Sequence, residues 1–156
     1  MRLTKGNFNI SYIGSNFEDN FGNIEVKPKK IELIFKTLGK DMLDKEILEE
    51  FKPEEITLDE LAYVIKNNLL DKNGYFICYV RDTTGVLWAV ECRWNVDGWV
   101  VGADSVEDPG RWDADNRVFS RNFSGTKKLE SFESLTLRLS NLESDMDKIK
   151  KIINLN

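Results

Sequence analysis

Residues 75–106, YFICYVRDTTGVLWAVECRWNVDGWVVGADSV, decide the fold class. Three apolar runs, Tyr75–Asp82, Val86–Val96 and Trp99–Val106, are separated by two turn signals and read as an antiparallel meander. Thr83-Thr84-Gly85 has the composition of a three-residue hairpin loop, with Gly85 in the left-handed position. That loop pairs Val80 with Trp88, Cys78 with Val90 and Phe76 with Cys92. Asp97-Gly98 reads as a two-residue loop. It pairs Val96 with Trp99, Trp94 with Val101 and Glu91 with Asp104. Both registers place Phe76, Cys78, Val80, Trp88, Val90, Cys92, Trp94, Trp99, Val101 and Ala103 on one face. Agreement between two independent turn rules marks that face as core. Cys78 and Cys92 are then diagonal neighbours, which predicts two free buried thiols and no disulfide.

Upstream, residues 7–13 alternate, with Phe8, Ile10 and Tyr12 on one side, and predict a short strand. Residues 14–23 read as loop, and Ile24–Lys27 as a second short strand. Three helices are expected next. Pro28 opens the first, with Ile31, Ile34, Phe35 and Leu38 at helical spacing. Asp41 caps a second that runs to about Phe51. Thr57 and Glu60 form a capping box for the third, with Leu58, Leu61, Ile65 and Leu69 inward. Downstream of the meander, Asp108-Pro109-Gly110 opens a polar loop, Val118–Phe123 is a candidate fourth strand, and Ser124-Gly125 begins a linker. The expected fold is α+β: an antiparallel three- to four-stranded meander packed on helices in residues 1–125, followed by a coiled-coil helix in residues 130–156.

That helix carries a heptad seam. Phe132, Leu135, Leu139, Leu142, Met146, Ile149 and Ile153 are spaced alternately three and four apart, over about 33 Å of helix. In a parallel assembly Arg138 meets Glu143 of a neighbour, and Asp145 meets Lys150, so both flanking pairs attract. Arg138-Leu139-Ser140-Asn141-Leu142-Glu143 resembles the Arg-h-x-x-h-Glu pattern (h apolar) of short parallel trimeric coiled coils. The resemblance covers six residues and implies a homotrimer in preference to a dimer. Phe132 and Met146 depart from it, since neither is β-branched. Leu137, Ile152 and Leu155 lie off the seam and favour the competing arrangement, a helix folded back on its own domain. The oligomerisation residues are therefore Leu135, Arg138, Leu139, Leu142, Glu143, Met146, Ile149 and Ile153.

Composition narrows the chemistry. The chain has 156 residues, a net charge of −5 and no histidine. The acidic balance argues against affinity built on phosphate neutralisation. The missing histidine removes His-based triads, His-ligated zinc and haem, and the usual neutral-pH proton shuttle. Two cysteines cannot alone complete a structural zinc site. No run of about 18 apolar residues occurs, and residues 1–14 lack the apolar stretch of a signal peptide, so the expected location is cytoplasmic. Lys, Asn and Ile content points to a bacterial or phage source.

Five features are candidates for function. Glu91 opposite Asp104 is a solvated ladder bridged by Arg93, an acid–base pair of hydrolase type acting on a sugar or phosphoester, or an oxygen-ligand metal site. Asp113 and Asp115 alternate as at the start of a calcium loop, but the glycine and closing glutamate of an EF-hand are missing. Trp112 lies in a polar loop with Arg111, Arg117 and Arg121 nearby, residue types that anchor protein interfaces. Residues 41–71 hold ten acidic residues and three lysines, either solvated helix faces or a docking surface for a basic partner. The order helix–helix–helix–hairpin also parallels a winged helix-turn-helix regulator. The would-be recognition helix carries one base, Lys66, so nucleic acid is disfavoured. The leading expectation is a non-enzymatic, homo-oligomeric binding or assembly module with no cofactor, no metal and no membrane segment.

Overall fold

The computed structural model describes residues 1–108, 110–124 and 143–150. Strand β1 (Ile10–Ile13) leads into helix α1 (Ser15–Phe21). Strands β2 (Ile34–Thr37) and β3 (Met42–Leu43) precede helices α2 (Asp44–Glu50) and α3 (Leu58–Lys66). Strands β4 (Tyr75–Arg81), β5 (Leu87–Asn95), β6 (Gly98–Ser105), β7 (Arg111–Trp112) and β8 (Arg117–Ser120) complete the domain. Six strands form one mixed sheet in the order β1-β6-β5-β4-β8-β2, and β3 pairs with β7 in a second, two-stranded sheet.

The expected antiparallel meander of three or four strands is therefore corrected. The β4-β5-β6 meander exists, but it is the centre of a wider sheet. Strand β1 adds in parallel to β6, and β8 adds in parallel to β4 with β2 antiparallel outside it. Parallel neighbours need long connections and leave no turn motif, so local sequence does not announce them. The first hairpin has the expected register, with Val80 on Trp88, Cys78 on Val90 and Phe76 on Cys92. Gly85 takes φ +89° in its loop. The Asp82 carboxylate accepts from the Thr84 and Val86 backbone N–H groups and from the Trp88 indole, at 2.8, 3.0 and 2.8 Å.

The second hairpin differs by one residue on each strand. Asn95 pairs with Gly98, Trp94 with Trp99, and Cys92 with Val101. The loop is Val96-Asp97, held by the Asn95 side-chain oxygen, which accepts from the Asp97 and Gly98 N–H groups at 3.0 Å each. Gly98 serves another purpose. Its φ is +150°, and a Cβ there would lie 2.3 Å from the Asn9 carbonyl oxygen, where β1 approaches. Because each strand moves by one residue, every side chain keeps its face. All ten residues of the expected apolar face lie in or against one core cluster.

Helices α1 and α3 cover that face through Phe17, Phe21, Leu61, Ala62, Val64 and Ile65. The capping box of α3 is present: Glu60 N–H donates to Thr57 Oγ1 at 3.2 Å, and Thr57 N–H donates to Glu60 Oε1 at 2.9 Å. Residues 15–21, expected as loop, are helical because Phe17 and Phe21 fall one turn apart and bury together, rings 5.0 Å between centroids. The expected helix over residues 28–38 is instead an extended segment ending in β2, whose Ile-Phe-Lys-Thr composition suits a strand. The expected helix from Asp41 is split: Met42–Leu43 is strand, and α2 begins at Asp44. Ile24–Lys27 forms no strand beyond a single bridge from Glu25 to Arg2. A second core lies on the opposite face, where Ile77, Tyr79, Ala89 and Val118 meet Leu38, Met42, Ile47 and Phe123. Strand β4 is thus buried on both sides. Among the described residues, no helix is long and apolar enough to cross a membrane.

Candidate functional site

The second face carries the carboxylates. The corrected register places Glu91 opposite Gly102 and Asp104 opposite Ala89, so the expected direct pair does not form. Arg93 lies 3.7 Å from Glu91 and lies across from Val100. Burial raises the Glu91 carboxyl above its ordinary range, Arg93 opposes that shift, and the Asp104 charge adds to it. Burial also raises Asp104, with Asp108 contributing.

A third raised carboxyl, Asp44, is absent from the sequence expectations. It opens α2 and is 2% exposed. Its Oδ1 accepts from the Tyr79 hydroxyl at 2.8 Å and from the Trp112 indole N–H at 2.7 Å. Burial raises it, and the two hydrogen bonds oppose that rise. Asp44, Asp104, Asp108, Gly110, Arg111 and Trp112 line a hollow of about 250 Å³. Tyr75, Glu91, Arg111, Trp112, Asp113 and Asn116 line another of about 300 Å³. The first is smaller than the usual small-molecule site, and the second is at the bottom of that range. Among the described residues, no group of three or more Cys, Asp or Glu is placed to hold a metal ion. Asp113 and Asp115 belong to a turn: Asn116 N–H donates to the Asp113 carbonyl at 3.2 Å, and Ala114 N–H donates to Asp41 Oδ1 at 2.8 Å.

The four expected partner-binding residues are dispersed. Trp112 is half-buried, fixed by Asp44 and by pairing of β7 with β3. Arg111 is exposed beside it and walls both hollows. Arg117 lies 3.8 Å from Asp71 and 5.3 Å above the Phe76 ring. Arg121 lines a different cavity, where its guanidinium bonds to the buried Glu60 carboxylate and lies 3.5 Å from Glu54.

Several acids of residues 41–71 have internal roles. Asp44 and Glu60 are buried, Glu46 accepts from the Leu43 N–H at 3.0 Å, Asp59 accepts from the Lys27 N–H at 3.0 Å, and Glu55 bonds Arg81. A groove-reading helix has to stand free, whereas α3 is buried at Glu60, Leu61, Ala62, Val64 and Ile65. Cys78 and Cys92 are free and buried, and burial raises both thiols well above the ordinary range.

A groove of about 790 Å³ lies at the β2 edge, lined by residues of 29–36 together with Glu54, Glu60 and Arg121–Phe123. It opens where β2 and β8 diverge beyond their last pair, Ile34 with Ser120. The C-terminal seam is the other apolar feature. Residues 143–150 are helical and exposed, with the seam residues Met146 and Ile149 56% and 55% exposed. The seam positions Phe132, Leu135, Leu139, Leu142 and Ile153, and the flanking Arg138, lie outside the described residues. Comparison of the chain with models of known protein families, with curated proteins and with solved structures finds no match.

Proposed function

We propose that the chain is a non-enzymatic, homo-oligomeric binding or assembly module of the cytoplasm, which presents its mixed-sheet domain on a C-terminal parallel coiled coil, trimeric in preference to dimeric. One observation carries the reading: in the described turns of the C-terminal helix, Met146 and Ile149 lie open to solvent. A helix folded back on its own domain would bury them. An apolar seam left exposed on a helix is a surface for another helix. Charge supports the parallel arrangement, since Arg138 faces Glu143 and Asp145 faces Lys150 across it. Presenting several copies multiplies weak contacts into avidity.

The test is absolute mass by light scattering after gel filtration. The full chain is expected near three times its 18.1 kDa mass. Leu139→Asp with Leu142→Asp is expected to give a folded species of one-third that mass at low concentration. An unchanged mass for the double variant, or a monomeric wild type, sinks the reading.

A further inference from the structure

Three hollows on the second face join into one trough. The first, of about 400 Å³, is walled by Leu43, Leu48 and Val106 and reaches Asp108. Asp108 also walls the hollow of about 250 Å³ at Asp44, and Arg111 and Trp112 connect that one to the hollow of about 300 Å³ at Tyr75 and Glu91. The trough is apolar beside α2, acidic in the middle and aromatic at its far end. Seven carboxylates line it against two cations, Lys45 and Arg111.

Its central carboxylates are short of partners. Asp104 is half-buried, and among the described residues it accepts no hydrogen bond and has no cation within 4 Å. Glu91 has Arg93, at 3.7 Å, beyond hydrogen-bonding reach. Burial raises Asp44, Glu91 and Asp104, and their neighbours add to it: Asp108 acts on Asp104, and Asp104 on Asp44 and Glu91. Asp44 is the most deeply buried of these. Its Oδ1 serves Tyr79 and Trp112, whereas its Oδ2 accepts no hydrogen bond among the described residues, so a nearly buried carboxylate offers a free oxygen to the middle hollow. Trp112 turns its N–H inward to the same Asp44, and the rest of its ring walls two hollows. A fixed aromatic beside carboxylates suits a guanidinium, which stacks on a ring while donating in its own plane.

Among the described residues no three acids converge on one point for a metal ion, so the negative charge is spread along the trough. The hollows are small, or at the low end, for a whole ligand. An extended chain places alternate side chains on one face about 6.5 Å apart, which matches small hollows in a row. We propose that the trough receives an extended basic segment of another protein, with an apolar side chain in the first hollow and arginine in the second and third. This contact is separate from the coiled coil. A monovalent peptide reads each chain alone, so failure of either leaves the other standing.

The probe is fluorescein-labelled Leu-Gly-Arg-Gly-Arg, with its reverse, Arg-Gly-Arg-Gly-Leu, for the opposite chain direction. Fluorescence anisotropy with the full chain, in about 0.15 M salt to screen diffuse attraction, is expected to show saturable binding below about 1 mM in one direction. Asp104→Asn with Glu91→Gln weakens it about ten- to hundredfold. Glu18→Gln with Asp19→Asn removes the same charge from exposed positions on α1, over the other face, and leaves it unchanged. Replacing the leucine of the peptide by glycine weakens binding about tenfold. Lys45→Glu adds an acid at the exposed rim and tightens binding about two- to fivefold. No saturable binding in either direction overturns the proposal. So does equal weakening by the α1 variant, which reads net charge alone, or indifference to the leucine, which reads a polycation and not a seated chain. Should the Asp104 and Glu91 variant lose its fold, Lys45→Glu decides, and unchanged affinity there refutes the trough.

Discussion

Replacing Asp44 separates two effects that coincide at one buried oxygen. Asp44 Oδ1 is the acceptor for the Tyr79 hydroxyl and the Trp112 indole, and Tyr79 is fully buried. Asp44→Ala leaves the Tyr79 hydroxyl dry, at about 1–3 kcal/mol. It also removes the Trp112 bond, whose half-buried donor regains water, at about 1 kcal/mol. The expected loss is about 2–4 kcal/mol, a large share of the ~5–15 kcal/mol that holds such a domain. Asp44→Asn keeps Oδ1 and removes the charge. Burial raises the Asp44 carboxyl despite both hydrogen bonds, so the ionised form is less favourable in the fold than in water. Stability from this group is therefore full below the ordinary carboxyl value of 3.8 and falls as pH rises through the raised one. Asp44→Asn abolishes that fall. Its stability relative to wild type is expected to improve from pH 4 to pH 7, ending within about 1 kcal/mol of wild type or above it. Urea titrations of the three proteins across that range read the difference directly. The reasoning fails if Asp44→Asn loses as much as Asp44→Ala at pH 7, or if its difference from wild type does not change with pH.

Two further outcomes follow from the hairpin loops. The Asp82 carboxyl is lowered to about 2, first by the Thr84 hydroxyl and then by the Trp88 indole. Its stabilising contribution is present above 3.8 and is lost as pH falls toward 2; an NMR titration of the Asp82 side chain checks the value, and a midpoint at or above 3.8 refutes it. Gly98→Ala forces a Cβ against the Asn9 carbonyl oxygen at a positive φ. It is expected to cost about 2 kcal/mol or more and to expose the β1 amides to hydrogen exchange before those of β4, and equal protection of both strands contradicts the account.

The parts of this fold that were legible in sequence are those written by neighbouring residues. Thr83-Thr84-Gly85 specifies its hairpin, Thr57 with Glu60 specifies a helix start, and alternation from Phe76 to Ala103 specifies a face. The one-residue difference at Asn95–Gly98 arose because the glycine answers to Asn9, 89 positions away, as well as to the turn. Strand β2 was hidden for a related reason. Ile31, Ile34, Phe35 and Leu38 match a helical period, but only pairing with β8 decides between the two conformations. Asp44 was equally hidden, since its donors lie 35 and 68 positions away. Its acidic context reads as solvated helix surface until Tyr79 and Trp112 are placed against it. The overlooked sign of α1 was local: Phe17 and Phe21, one turn apart inside a loop-like composition.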